Sequence, residues 1–135
     1  MGIFKHKETL SLGARGEKVA VVYLKKRGYK ILANNFANSE GRRLGEIDII
    51  AKKDGNIHFF EVKSIVCDLY YGIRRYHPED NVHGLKLRHI RRMVETYFDE
   101  YSISPDSPFY FHVYCVYLDK NVKKAKVIRI ENIIL

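Results

Sequence analysis

Apolar residues recur along this chain with two periods, and the switch between them separates helices from strands. From Leu10 to Arg27 the apolar positions follow a helical spacing, and Gly28 stops the run with a residue suited to the left-handed conformation after a helix end. Tyr29 to Phe36 reads as a first strand and Asn38 to Leu44 as a loop. Two β-rich runs, Gly45 to Lys52 and Asn56 to Ser64, surround Asp54-Gly55 and predict a hairpin. Residues 65–81 have mixed polarity and no period, so a long functional or mobile loop is expected there. Val82 to Tyr101 predicts a second helix whose apolar stripe runs through Ile90, Met93, Val94, Tyr97 and Tyr101. Alternation over Phe109 to Leu118 and the β-branched run Lys126 to Ile130 add two strands, giving the order αβββαββ. No repeat or linker divides the chain, so residues 1–135 are read as one domain with a mobile N-terminus over residues 1–8.

The hairpin decides which polar residues meet. A tight turn at Asp54-Gly55 sets Asp48 opposite Glu61 and Glu46 opposite Lys63, and strand alternation places all four on one face. The other face, with Ile47, Ile49, Phe60 and Val62, is expected to be core. Opposed Cβ atoms lie about 5 Å apart, a separation at which two carboxylates can share one divalent cation. Like charges set opposite one another cost stability unless a cation or proton is shared. Asp48 and Glu61 also sit in apolar runs, where an unpaired carboxylate is expensive to bury. The competing account is a solvated sheet face with an ordinary Glu46–Lys63 ion pair. On the first helix, Ala14, Glu17, Val21 and Leu24 share a stripe, so Glu17 is expected to point inward, where it could join the Asp48–Glu61 pair.

Composition narrows the setting. The chain carries 24 Lys plus Arg against 16 Asp plus Glu, a net charge of +8, which favours a polyanionic partner such as nucleic acid. An apolar fraction of 46% excludes a disordered chain. No apolar run approaches the roughly 20 residues of a membrane span, and Met1 to Lys7 has no secretory pattern, so a soluble cytoplasmic protein without a membrane partner is expected. Cys67 and Cys115 lie far apart with no CxxC spacing and read as free thiols. None of the histidines forms a metal motif, and His112, in a strand, reads as structural. Arg42 and Arg43 in the loop before the hairpin, and Arg74 and Arg75 among Tyr70, Tyr71 and Tyr76, combine charge with stacking surface. With Lys86, Arg88 and Arg92 of the second helix they are the candidate nucleic-acid contacts, the plainer account being a solvated surface.

Asp48 followed after twelve residues by Glu61-Val62-Lys63 resembles the PD-(D/E)XK signature of restriction-endonuclease-like nucleases. The wider set comprises Leu12-Gly13, Gly16-Glu17, Gly28-Tyr29, Asn35-Phe36, Gly45 to Ala51, Phe60 to Lys63 and Lys86. It resembles the YraN-like family of small bacterial proteins, grouped with the Holliday-junction-resolvase branch of that superfamily. Two positions depart from the pattern: Ala37 where a basic residue is expected, and Ile65 where arginine is common. The resemblance implies an α/β fold with an αβββαβ core, a mixed central sheet flanked by helices, and hydrolysis of DNA phosphodiesters, branched or single-stranded. It implies that Asp48 and Glu61 hold Mg²⁺ or Mn²⁺, that Glu17 joins them, and that Lys63 stabilises the developing charge. Glu46 and Lys86 are assigned supporting roles. Symmetric cleavage would require a homodimer. The alternatives are a nucleic-acid-binding protein with this fold and little or no catalysis, or a protein-interaction module.

Overall fold

The computed structural model describes residues 10–37, 45–68, 77, 80–120 and 123–135. Helix α1 spans Leu12–Lys26 and is capped at its start by Ser11, whose hydroxyl accepts the Ala14 N–H at 3.1 Å. It ends as expected: Gly28 takes φ +89°, the Gly28 N–H donates to the Lys25 carbonyl, and the Tyr29 N–H reaches back to Leu24. That pair of bonds is a Schellman motif, which turns the chain directly into strand β1, Lys30–Ala37.

Strands β2, Glu46–Lys53, and β3, Asn56–Cys67, form the hairpin. Asp54 and Gly55 both have positive φ, the requirement of a two-residue turn whose twist matches its strands. Beyond β3 come a short helix α2, Asp80–His83, then α3, Leu87–Glu100, and strands β4, Phe109–Asp119, and β5, Ala125–Ile130. The sheet order is β1-β2-β3-β4-β5, antiparallel except for the parallel β3–β4 pair bridged by α3. The protein is therefore a mixed α/β fold, a five-stranded mixed sheet flanked by α1 and α3. Among the described residues no helix is long and apolar enough to cross a membrane.

Three expectations change. The helix predicted over Val82 to Tyr101 is interrupted: α2 ends at His83, and Lys86 has ψ 85°, so the helix restarts at Leu87. The loop predicted from residue 65 begins later, because β3 pairs with β4 as far as Cys67 and Asp119. The hairpin also has no solvated face. Ala20 and Leu24 of α1 pack with Ile49, Ala51, Phe60 and Val62 on one side, while Met93, Val94 and Tyr97 of α3 pack with Ile47, Ile50 and Phe59 on the other. With helices on both sides, β4 is buried continuously from Phe111 to Leu118. Cys67 and Cys115 are buried free thiols.

Candidate functional site

The predicted register holds from the turn as far as Ile49 opposite Phe60, where the β2–β3 ladder ends. Asp48 and Glu61 are thus not ladder partners. Instead the Asp48 carboxylate turns toward β3 and accepts the Val62 backbone N–H at 2.8 Å. The hydrophobic alternation breaks at the same point: Ile49 and Ala51 face α1, but Ile47 joins Ile50 on the α3 side. A side chain in place of a backbone partner opens the sheet locally and sets a carboxylate into the opening.

Two further carboxylates reach it. Glu61 lies against Asp48 closely enough to share a proton with it, and Glu17, from the inward side of α1, approaches Asp48 from the other direction. Glu17 is brought there by close packing. Gly16 sits so near β3 that a Cβ at this position would overlap the Ser64 side chain, so the missing side chain lets α1 settle onto the strand. Lys63 completes the group with its ammonium 3.5 Å from the Glu61 carboxylate, and these two side chains keep 38% and 18% of their surface exposed. This replaces the expected Glu46–Lys63 pair. Glu46 is exposed at the start of β2, paired in the ladder with Ala37, and adds its negative charge to the field around Glu17.

The electrostatics follow from burial and crowding. Partial burial and then the neighbouring Glu61 charge push the Asp48 carboxyl up to about 7. Burial raises Glu61 as well, opposed by Lys63, and Glu17 is raised by burial and by Asp48. One proton held between Asp48 and Glu61, with Glu61 charged beside Lys63, accounts for these directions. The cluster offers only hard oxygen donors, the ligand class of Mg²⁺ and Mn²⁺, and it carries more negative charge than Lys63 balances. Asp48 and Glu61 are the residues placed to hold such an ion, with Glu17 next. Among the described residues, no three side chains already stand in a metal-binding arrangement. The carboxylates meet pairwise through Asp48.

Asn35 was not foreseen as a site residue. It occupies β1 with φ 51°, and its amide nitrogen, in the orientation that satisfies its neighbours, donates to both Glu17 oxygens at 3.1 and 3.2 Å. The available signal was an asparagine inside a strand, a residue that tolerates left-handed backbone where others do not. Lys86, Arg88 and Arg92 are exposed on or next to α3, across the sheet from α1, with Lys86 at the helix start. Arg42, Arg43, Arg74 and Arg75 lie outside the described residues. His112 is structural as expected: it is buried, accepts the Asn132 N–H on Nδ1 at 3.0 Å, and meets His58 Nδ1 through Nε2 at 2.9 Å.

Comparison with known proteins gives a consistent assignment. The profile of the uncharacterised protein family UPF0102 matches residues 16–133. A UPF0102 protein of Caldicellulosiruptor bescii is 41% identical over 121 residues, 87% of this chain and 93% of that one. Others, from Acetivibrio thermocellus and Campylobacter lari, are 40% and 36% identical, covering 80% and 79% of this chain and 76% and 84% of theirs.

Proposed function

The chain belongs to the uncharacterised protein family UPF0102, and from its carboxylate cluster we propose that it is a metal-dependent endonuclease hydrolysing phosphodiester bonds in branched or single-stranded DNA. The observation carrying this reading is the convergence of Glu17 and Glu61 on Asp48 where β2 and β3 part, with the Lys63 ammonium on Glu61. The element order and the Asp48, Glu61, Lys63 spacing also resemble the restriction-endonuclease-like core.

The residues divide the work. Asp48 and Glu61 would hold Mg²⁺ or Mn²⁺, which when bound supplies Lewis acidity to the phosphoryl group and lowers the pKa of a water. Lys63, with its side-chain nitrogen 3.5 Å from the Glu61 carboxylate, offsets negative charge that develops on the phosphate. Glu17, hydrogen-bonded by Asn35, would hold a water or a second cation. The Val62 N–H locks the Asp48 carboxylate toward β3, so its orientation is set before any ligand arrives. The +8 net charge suits a polyanionic substrate.

The test is nicking of a panel of single-stranded, nicked and branched DNA with Mg²⁺ or Mn²⁺. Asp48→Ala, Glu61→Ala and Lys63→Ala should each lower the rate at least about 100-fold, the range of losing a stabilising charge at a reacting phosphate. Full activity in these variants, or tight binding of the whole panel with none of it cut, refutes the assignment.

A further inference from the structure

Helix α1 has a second flank rich in basic and apolar residues. Glu17 projects toward the carboxylates, but Arg15, Lys18, Val19 and Val22, spaced by three, one and three residues, form a stripe on the side away from Glu17. This stripe borders a groove of about 480 Å³ against the far end of β4 and the start of β5, where Leu118, Lys123 and Lys124 complete it. All four basic residues are exposed, and among the described residues no ion pair engages any of them. Asp119 is the one acid among the described residues of the lining, and its backbone N–H donates to the Lys124 carbonyl, tying the end of β4 to the residue before β5.

The floor of the groove is apolar. Val19 and Leu118 pack beneath it, and Val22 stays 50% exposed where nothing described covers it. A groove with four exposed cations at its rim and an aliphatic floor fits a ligand that is itself half anion and half flat apolar surface. A nucleotide has that composition, and its size matches a cavity of this volume. A base paired inside a duplex hides its faces, whereas an unpaired base presents one to the aliphatic floor.

The position is as informative as the chemistry. β3 and β4 run in parallel register, with Lys63 beside Cys115 and Cys67 beside Asp119. Leu118, where the groove begins, pairs with Val66, so the groove starts about 10 Å along the strands from Lys63, at roughly 3.3 Å per residue. The groove and the carboxylates lie on the two flanks of the N-terminal half of α1, so one strand of nucleic acid crossing that half reaches both.

We propose that this groove holds an unpaired nucleotide of the DNA strand whose phosphodiester lies at the carboxylates. Phosphate oxygens sit among Arg15, Lys18, Lys123 and Lys124, and the base lies on Val19, Val22 and Leu118. This rests on the endonuclease reading and names the substrate feature it selects, single-stranded character beside the cut.

Binding of a labelled single-stranded oligothymidylate, measured in EDTA over a salt series, separates the two claims. The pairs Arg15→Glu/Lys18→Glu and Lys123→Glu/Lys124→Glu alter exposed positions only. Each should weaken binding about tenfold or more and make the log–log salt dependence shallower by about 1.4, some 0.7 for each phosphate no longer neutralised. Affinity and salt dependence equal to the parent overturn the proposal. So does an equal loss on a blunt duplex, or a loss seen only with phosphatidylserine vesicles. Nicking with Mn²⁺ is scored separately: groove-dependent binding by a parent protein that never nicks supports the groove and refutes the endonuclease reading.

Discussion

Replacing Asp48 by asparagine should stabilise the metal-free protein at alkaline pH and change it little in acid. The carboxyl ionises near 7 in the fold against an ordinary 3.8. As pH rises between these values the unfolded chain gives up a proton that the fold keeps, so folding stability falls across that window and stays reduced above it. The full displacement corresponds to about 4 kcal/mol above pH 7 and about 1 kcal/mol near pH 4.5. Asp48 is only partly buried, and solvent screening cuts the difference to about half, roughly 1.5 kcal/mol. Asparagine keeps an oxygen for the Val62 N–H and has an amide to donate to Glu61 or Glu17, so charge is lost without the hydrogen bond. For a domain of this size that is a gain of about 5 °C in Tm. Thermal unfolding of both proteins in EDTA near pH 4.5 and near pH 8 measures it. A variant no more stable than the parent near pH 8, or one equally stabilised at both values, would show that the carboxylates are not crowded as described. Saturating Mn²⁺ should reverse the order. At 100 times its dissociation constant it stabilises the parent by about 2.7 kcal/mol, and the asparagine variant gains less.

Other consequences concern the residues that set the cluster in place. Gly16→Ala puts a Cβ within 2.8 Å of the Ser64 Cβ, and should cost about 1–3 kcal/mol in chemical denaturation, partly recovered by adding Ser64→Gly. Recovery by Ser64→Gly identifies the contact as the cause; no recovery removes it. Asn35→Ala takes the donor from Glu17 and should weaken Mn²⁺ binding about tenfold by calorimetry, whereas unchanged affinity would mean that Glu17 stands apart from the ion. His112 should titrate against the trend of Asp48. Burial and the adjacent His58 lower it to about 4, so stability is lost as pH falls from 6.5 toward that value. Because the Asn132 N–H occupies Nδ1, the proton sits on Nε2, and nitrogen NMR near pH 5 should show this neutral tautomer. An imidazolium there contradicts the geometry.

What the sequence determined about this protein is what short-range chemistry controls. Gly28 at φ +89° and the paired positive φ angles of Asp54 and Gly55 need nothing beyond their neighbours, so the end of α1 and the hairpin register up to Ile49–Phe60 were readable. Helical spacing likewise put Glu17 on the inward flank. The cluster of Glu17, Asp48, Glu61 and Lys63 was readable as a set, yet its geometry was not. Tertiary structure decided that the ladder stops at Ile49, that Asp48 takes the Val62 N–H, and that Lys63 pairs with Glu61 and not Glu46. It decided also that both faces of the hairpin are buried, because that depends on α1 and α3 arriving from opposite sides. The extension of β3 to Cys67 comes from pairing with Asp119, a residue distant in the chain. Asn35 beside Glu17, and the basic groove joining α1 to the end of β4 and the start of β5, have the same origin: contacts between segments far apart in sequence leave no local periodicity, and only packing brings them together.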